Sequence, residues 1–250
     1  MDRHDERPHA TGDGHDRRRE PGHGAVLFYH SVGTDHGDSY GRTISEHRLA
    51  LDIEAWLDRG YRIVDLTTAV ETGGGGGRLA LTFDDGYESF ATRVVPLLER
   101  FDVPATVYVH TDAIGSSNHL TETQLRDLFD HDLVTVGNHT RSHPYLDRVD
   151  DHGTLVDEIV GARTTFERRF GVAPDHFAYP FYRFDERSLT VVRDSHETAV
   201  AGPPGHPAVG PADPLSTDSD PHLLPRVDGV TLSVLSNAGG CRRLLDGLGP

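Results

Sequence analysis

Short apolar runs alternate along this chain with stretches in which apolar residues recur every three to five positions. That order is expected where buried parallel strands are followed by amphipathic helices. The first run, Ala25–Tyr29, reads as a strand. A helix carrying Leu49, Ile53, Trp56 and Tyr61 follows, closed by Gly60, and a second strand covers Tyr61–Leu66. The glycines Gly73–Gly77 lead into a run in which Leu79, Leu81 and Phe83 alternate with Arg78, Ala80 and Thr82, and which ends in Asp84-Asp85-Gly86. The next helix bears Phe90, Val94, Leu97 and Phe101 on one face, and Pro96 should kink or restart it. Further strands are expected over Ala105–Val109, Leu133–Val136, Phe177–Tyr179, Thr198–Ala201 and Leu223–Val227. Helices are expected near Thr121–Asp130, Leu155–Phe170, Glu186–Asp194 and Ser233–Leu245, and the Pro/Gly-rich stretch Gly202–Pro221 reads as a loop.

No repeat and no internal boundary interrupts this alternation, so residues 24–250 are expected to form one parallel α/β domain of barrel length. His30, Asp84, Asp85, His139 and Pro180-Phe181 all follow directly on the C-terminal ends of expected strands. In a parallel barrel those ends share the face that carries the chemistry, so these groups should converge on one mouth.

Charge narrows the choice of partners. The net charge is −16 and every basic residue is arginine. Nucleic acid and anionic membranes call for a basic footprint, and neither is expected as a partner. The acidic balance would suit a halophilic protein, whose self-repulsion salt screens, although a GC-rich coding sequence explains the missing lysine equally well. Cys241 is the sole cysteine, which excludes thiolate zinc sites and leaves His and carboxylate ligands for any metal. No apolar run is long enough to cross a membrane as a helix. Residues 1–23 mix charge, Gly, Pro and four histidines without the apolar segment of a secretory signal, so they read as a disordered tail and the expected location is cytoplasmic.

Two motifs carry chemistry. His139 and His143 form an H-x-x-x-H pair, but 17 histidines in 250 residues give about one such pair by chance. One helical turn would bring the two rings together, and imidazole suits Zn²⁺, Co²⁺ and Ni²⁺. Asp84-Asp85-Gly86 reads equally well as a polar strand-to-helix turn or as a pair of acids with separate roles. In the second reading one carboxylate joins two imidazoles on an open metal and the other acts as a base.

Taken in order, TFDDGY, HTRSHP and FAYPF resemble the successive motifs of polysaccharide deacetylases of the NodB-homology class, over roughly Ala25–Gly229. The resemblance implies a distorted (β/α)7 barrel and one divalent metal, zinc foremost, with cobalt, nickel or manganese as alternatives. The implied ligands are Asp85, His139 and His143, with Asp84 as the base. The implied substrate is an N-acetylated sugar or polysaccharide, with Phe181 supplying a backbone N–H to the acyl oxygen.

The chain also departs from the common pattern. Ala178 stands where many members carry arginine, Tyr182 replaces a glycine and could narrow the mouth, and no late L-x-H motif follows, leaving only His206 and His222 after residue 200. LFYHSV and LLPRVD resemble the rearranged deacetylases that act on poly-N-acetylglucosamine, which implies His30 as the general acid and Arg226 beside Asp84. A structural histidine and a distant ion pair are the competing readings of those two residues. The alternatives for the whole are a hydrolase of another linear or cyclic amide, and a non-catalytic carbohydrate-binding domain.

Overall fold

The computed structural model describes residues 23–33, 43–202 and 215–230. The expected tail, the helix over Ser233–Leu245, Cys241, His206 and most of the loop after Gly202 lie outside the described residues.

The strands are β1 (Ala25–Tyr29), β2 (Arg62–Ile63), β3 (Arg78–Phe83), β4 (Ala105–Val109), β5 (Val134–Asn138), β6 (His176–Ala178), β7 (Thr198–Val200) and β8 (Arg226–Asp228). All pair in parallel, in the spatial order β7-β6-β5-β4-β3-β1-β8. Leu224, just ahead of β8, bridges to Val200 of β7, and the amide of Ala201 donates to its carbonyl at 2.9 Å. Seven strands thereby close into a barrel, as the sequence leads one to expect. The short β2 is outside the ring, beside the lower half of β3, whose upper half pairs with β4.

The strand pattern follows from burial on both faces. Val26, Ala80, Tyr108, Ala178, Val200 and Leu224 turn inward and pack with one another. Their neighbours Leu27, Leu79, Leu81, Phe83 and Val107 turn outward onto Leu49, Ile53, Trp56, Phe90 and Val94. On the opposite side Phe177, Tyr179 and Ala199 pack on Leu155, Ile159 and Val192.

The helices are α1 (Glu46–Asp58), α2 (Leu66–Glu71), α3 (Val95–Phe101), α4 (Glu122–Phe129), α5 (His152–Val156), α6 (Ala162–Phe170) and α7 (Glu186–Arg193). Among the described residues none is long and apolar enough to cross a membrane. The strand expected over Tyr61–Leu66 is cut to Arg62–Ile63, because Asp65 caps α2 by accepting from the amide and hydroxyl of Thr68 at 2.8 and 2.7 Å. Pro96 restarts its helix as expected. It has no N–H to give, and a π-turn over Phe90–Val94, in which the amide of Val95 donates to Phe90, absorbs the mismatch. The single helix expected over Leu155–Phe170 is instead α5 and α6 separated by a second π-turn, Asp157–Gly161.

Candidate metal centre and active site

Each residue singled out at a strand end stands at the same mouth of the barrel. Asp85 takes φ of 71° and Gly86 of 68°. That left-handed turn, uncommon for a residue with a side chain, swings the Asp85 carboxylate across the barrel toward the end of β5. His139 follows β5 directly.

The two histidines do not share a helical turn, contrary to the sequence expectation. Residues 139–143 are an irregular loop in which Thr140 (φ 72°) and His143 (φ 62°) are both left-handed. Hydrogen bonds hold this shape: the amide of Thr140 donates to Asn138 Oδ1 at 3.0 Å, and that of His143 to Thr140 Oγ1 at 3.0 Å. From the second π-turn the buried Glu158 accepts from the amides of Arg141 (3.2 Å) and Ser142 (2.8 Å) and from the Ser142 hydroxyl (2.6 Å).

The result is a triangle of donors. His143 Nε2 lies 3.1 Å from His139 Nε2 and 3.2 Å from Asp85 Oδ1, and His139 Nε2 lies 3.5 Å from that oxygen. Donors about 2.0–2.1 Å from one tetrahedral ion stand about 3.3–3.4 Å apart, so the triangle has the dimensions of one face of such a shell. His139 Nδ1 donates to the carbonyl of Ala178 at 2.8 Å, which fixes the tautomer that leaves Nε2 for an ion. Among the described residues this is the one group of three close ligand atoms of the metal-binding types. The donor set and its spacing fit a divalent cation.

Burial raises the Asp85 carboxyl, but hydrogen bonds from His139 and His143 outweigh it and hold the group far below the usual carboxylate range. Burial pushes the His143 imidazole down, against the pull of Asp85. Both effects favour the forms that ligate metal.

Asp84 has different company. Arg226, fully buried on β8, grips it with two hydrogen bonds, Nη1 to Oδ1 at 2.7 Å and Nη2 to Oδ2 at 2.9 Å. The guanidinium lies 5.0 Å from the ring of Phe28 and 5.8 Å from that of Tyr182, and its Nε donates to Ala201. Burial alone would raise the Asp84 carboxyl, yet the charge of Arg226, with His139 and His30 in support, holds it below its ordinary value. His30 is therefore close enough to sense Asp84, and its Nδ1 is buried without a hydrogen-bond partner. Tyr182 turns its ring edge-on to Phe28 at 5.7 Å, covering the arginine. Phe181, left-handed at φ 55°, packs its ring on His143 at 4.5 Å and on the exposed Tyr145 at 4.4 Å.

Sequence reasoning passed over two groups at this mouth. His110 directly follows β4, so the strand-end rule applied to the other residues would have found it. Its ring lies 5.4 Å from that of His143, and burial, with His139 and His143 nearby, pushes its pKa down to about 3. Glu158 gives no such signal, because only the π-turn aims it at the loop.

Comparison with known proteins places these features in context. A family model described as polysaccharide deacetylase matches residues 72–200, a span that includes Asp84, Asp85, both histidines, Phe181 and Tyr182 but neither His30 nor Arg226. The protein YxkH of Bacillus subtilis (strain 168) is 25% identical over 187 residues, covering 72% of this chain and 64% of its own length. The poly-beta-1,6-N-acetyl-D-glucosamine N-deacetylase of Escherichia coli (strain K12) is 31% identical over 174 residues, covering 60% of this chain and 26% of its own. The chain thus spans less than two thirds of either relative. Among solved structures, IcaB from Ammonifex degensii superposes with a TM-score of 0.74 at 18% identity, over 88% of this chain and 98% of that one. At that identity the likeness speaks for the fold alone.

Proposed function

Because this chain belongs to the polysaccharide deacetylase family, we propose that it hydrolyses the acetamide of N-acetylglucosamine units in a β-1,6-linked glycan, with one divalent ion, zinc, held by Asp85, His139 and His143. The observation that carries this reading is the placement of an ionised, arginine-paired carboxylate, Asp84, beside a three-donor triangle of metal-site dimensions. The glycan is suggested by the named activity of the E. coli relative and by the strand-end placement of His30.

When bound, the ion would supply a Lewis acid that lowers the pKa of water at its open position. Asp84 takes a proton from the attacking water as its oxygen bonds to the acetyl carbon. Arg226 keeps Asp84 ionised and fixes its orientation. The backbone N–H of Phe181 donates to the acyl oxygen as negative charge gathers there. His30 gives a proton to the sugar nitrogen as the C–N bond breaks, leaving a free amine and acetate. A cleft of about 190 Å³, lined in part by Ser31, Gly33, Tyr87 and Arg93, opens between the segments that follow β1 and β3 and is a candidate subsite for one neighbouring sugar unit.

Acetate release from β-1,6-linked N-acetylglucosamine oligomers, measured with added zinc and again after chelation, tests the proposal. Release that needs the ion is expected. Zinc-loaded protein that binds the oligomers yet frees no acetate would instead indicate a carbohydrate-binding domain.

A further inference from the structure

Behind the metal-ligand loop, on the side away from the mouth, lies a buried histidine that the proposed chemistry does not use. His196, between α7 and β7, is 6% exposed and packs its ring on Phe177 at 5.1 Å. Its two nitrogens are both engaged: Nε2 is 3.0 Å from Asn138 Nδ2, and Nδ1 is 2.9 Å from Ser195 Oγ.

The proton on each atom of this chain is fixed by its neighbours. Asn138 Nδ2 also lies 2.9 Å from the carbonyl of Ile159, which only accepts, so this atom is the amide nitrogen. Asn138 Oδ1 accepts from the amide of Thr140 at 3.0 Å, in agreement. His196 Nε2 facing that NH₂ must therefore be the bare acceptor, and the ring's proton sits on Nδ1 and points at Ser195 Oγ. Ser195 in turn donates its own proton to Val191 at 2.6 Å. Burial, together with the charge of Arg163, pushes the His196 pKa down to about 3, so the ring stays neutral at ordinary pH.

On the loop side the sequence of bonds continues. Asn138 holds the amide of Thr140, whose hydroxyl holds the amide of His143, and both Thr140 and His143 sit in left-handed conformations that need such support. We propose that His196 is a positioning residue for the metal site: by accepting from Asn138 it fixes the amide that sets the His139–His143 loop in its ligating shape. The inference rests on the metal reading above. It differs from simple core packing because it depends on an acceptor at the Nε2 position, not on the volume of the ring. His222, whose Nε2 donates to the His196 carbonyl at 2.9 Å, anchors the backbone only and has no part in it.

The experiment is zinc affinity of the metal-free full chain, measured by competition with a chromophoric chelator, for wild type, His196→Leu and His196→Gln. Leucine fills space without accepting, whereas the glutamine amide oxygen can stand near the lost Nε2. Wild type should bind tightly, the leucine variant about 10–100-fold more weakly, and the glutamine variant within about threefold of wild type. Melting temperatures of the metal-free proteins separate a lost fold from a loosened loop. Equal affinity of wild type and the leucine variant would overturn the inference, as would equal losses in both variants. Failure of wild type itself to bind zinc would instead overturn the metal reading. If the leucine variant does not fold, nitrogen-15 spectra of the wild-type histidines decide: a proton on Nδ1 is expected, and a proton on Nε2 would contradict the mechanism.

Discussion

Asp84 and Asp85 are neighbours in sequence and opposites in surroundings. The charge of Asp84 is answered from within the chain, by a fully buried arginine bonded to both carboxylate oxygens. Asp85 faces two imidazoles at 3.2 and 3.5 Å, one of them, His143, pushed by burial toward its neutral form. One half of the mouth holds a bidentate internal ion pair, and the other presents three donors spaced to fit a cation. The difference gives two adjacent acids distinct surroundings. In the proposed mechanism the arginine-paired acid takes the proton and its neighbour holds the ion.

The largest effect should come from breaking the three-donor half. Asp85→Ala is expected to abolish zinc retention through dialysis and acetate release together, as metal analysis and a turnover assay on one sample would show. Loss of turnover with zinc still bound stoichiometrically would argue that Asp85 is no ligand.

Breaking the ion-paired half should look different. Arg226→Met removes one partner of a buried pair and strands the other, a change that typically costs about 3–5 kcal/mol of stability. Denaturant unfolding would measure this. With the guanidinium gone, burial prevails at Asp84 and raises its carboxyl. The acid limb of kcat/KM should then move to higher pH while zinc stays bound. An unchanged limb would separate Arg226 from the base.

Acid should separate the two halves more gently. His110 and His196 have folded pKa values near 3, below the 6.5 of a free imidazole. As pH falls below about 6.5 the unfolded chain takes up protons that the folded chain refuses, so stability declines from there down to about pH 3. Asp84 works in the other window. Its pKa is lowered from 3.8, so its contribution is present above that value and is lost only as pH falls through the lower folded value. The melting temperature of the metal-free protein should therefore begin to fall near pH 6.5, and His196→Gln should flatten that fall. A melting temperature flat from pH 7 to 4 would contradict the buried neutral histidines.

Legibility in the sequence follows the same physics. β1 and β4 coincide with AVLFY and ATVYV, because strands buried on both faces leave nearly unbroken apolar runs between polar turns. The run at Tyr61–Leu66 misled, since nothing in its hydrophobicity reports that Asp65 turns to cap the next helix. The convergence of Asp85 and His139 could be read from strand ends, and His143 from the H-x-x-x-H pair, but not the means. Two left-handed residues, neither of them glycine, bring the imidazoles together, and an expected helical turn stood in their place. Contacts such as Asp84 with Arg226 or Asn138 with His196 join residues far apart along the chain, and periodicity carries no information about such partners. For Arg226 a resemblance in the LLPRVD segment supplied the hint. His196 had no signal at all.

We propose that Asp84 moves the proton while its neighbour holds the ion. Zinc content and acetate release, measured together on Asp84→Asn with a β-1,6-linked N-acetylglucosamine oligomer, test it most directly. One zinc per chain with turnover reduced about 10²–10⁴-fold is the predicted result. Turnover near that of wild type, with the zinc still in place, would contradict it.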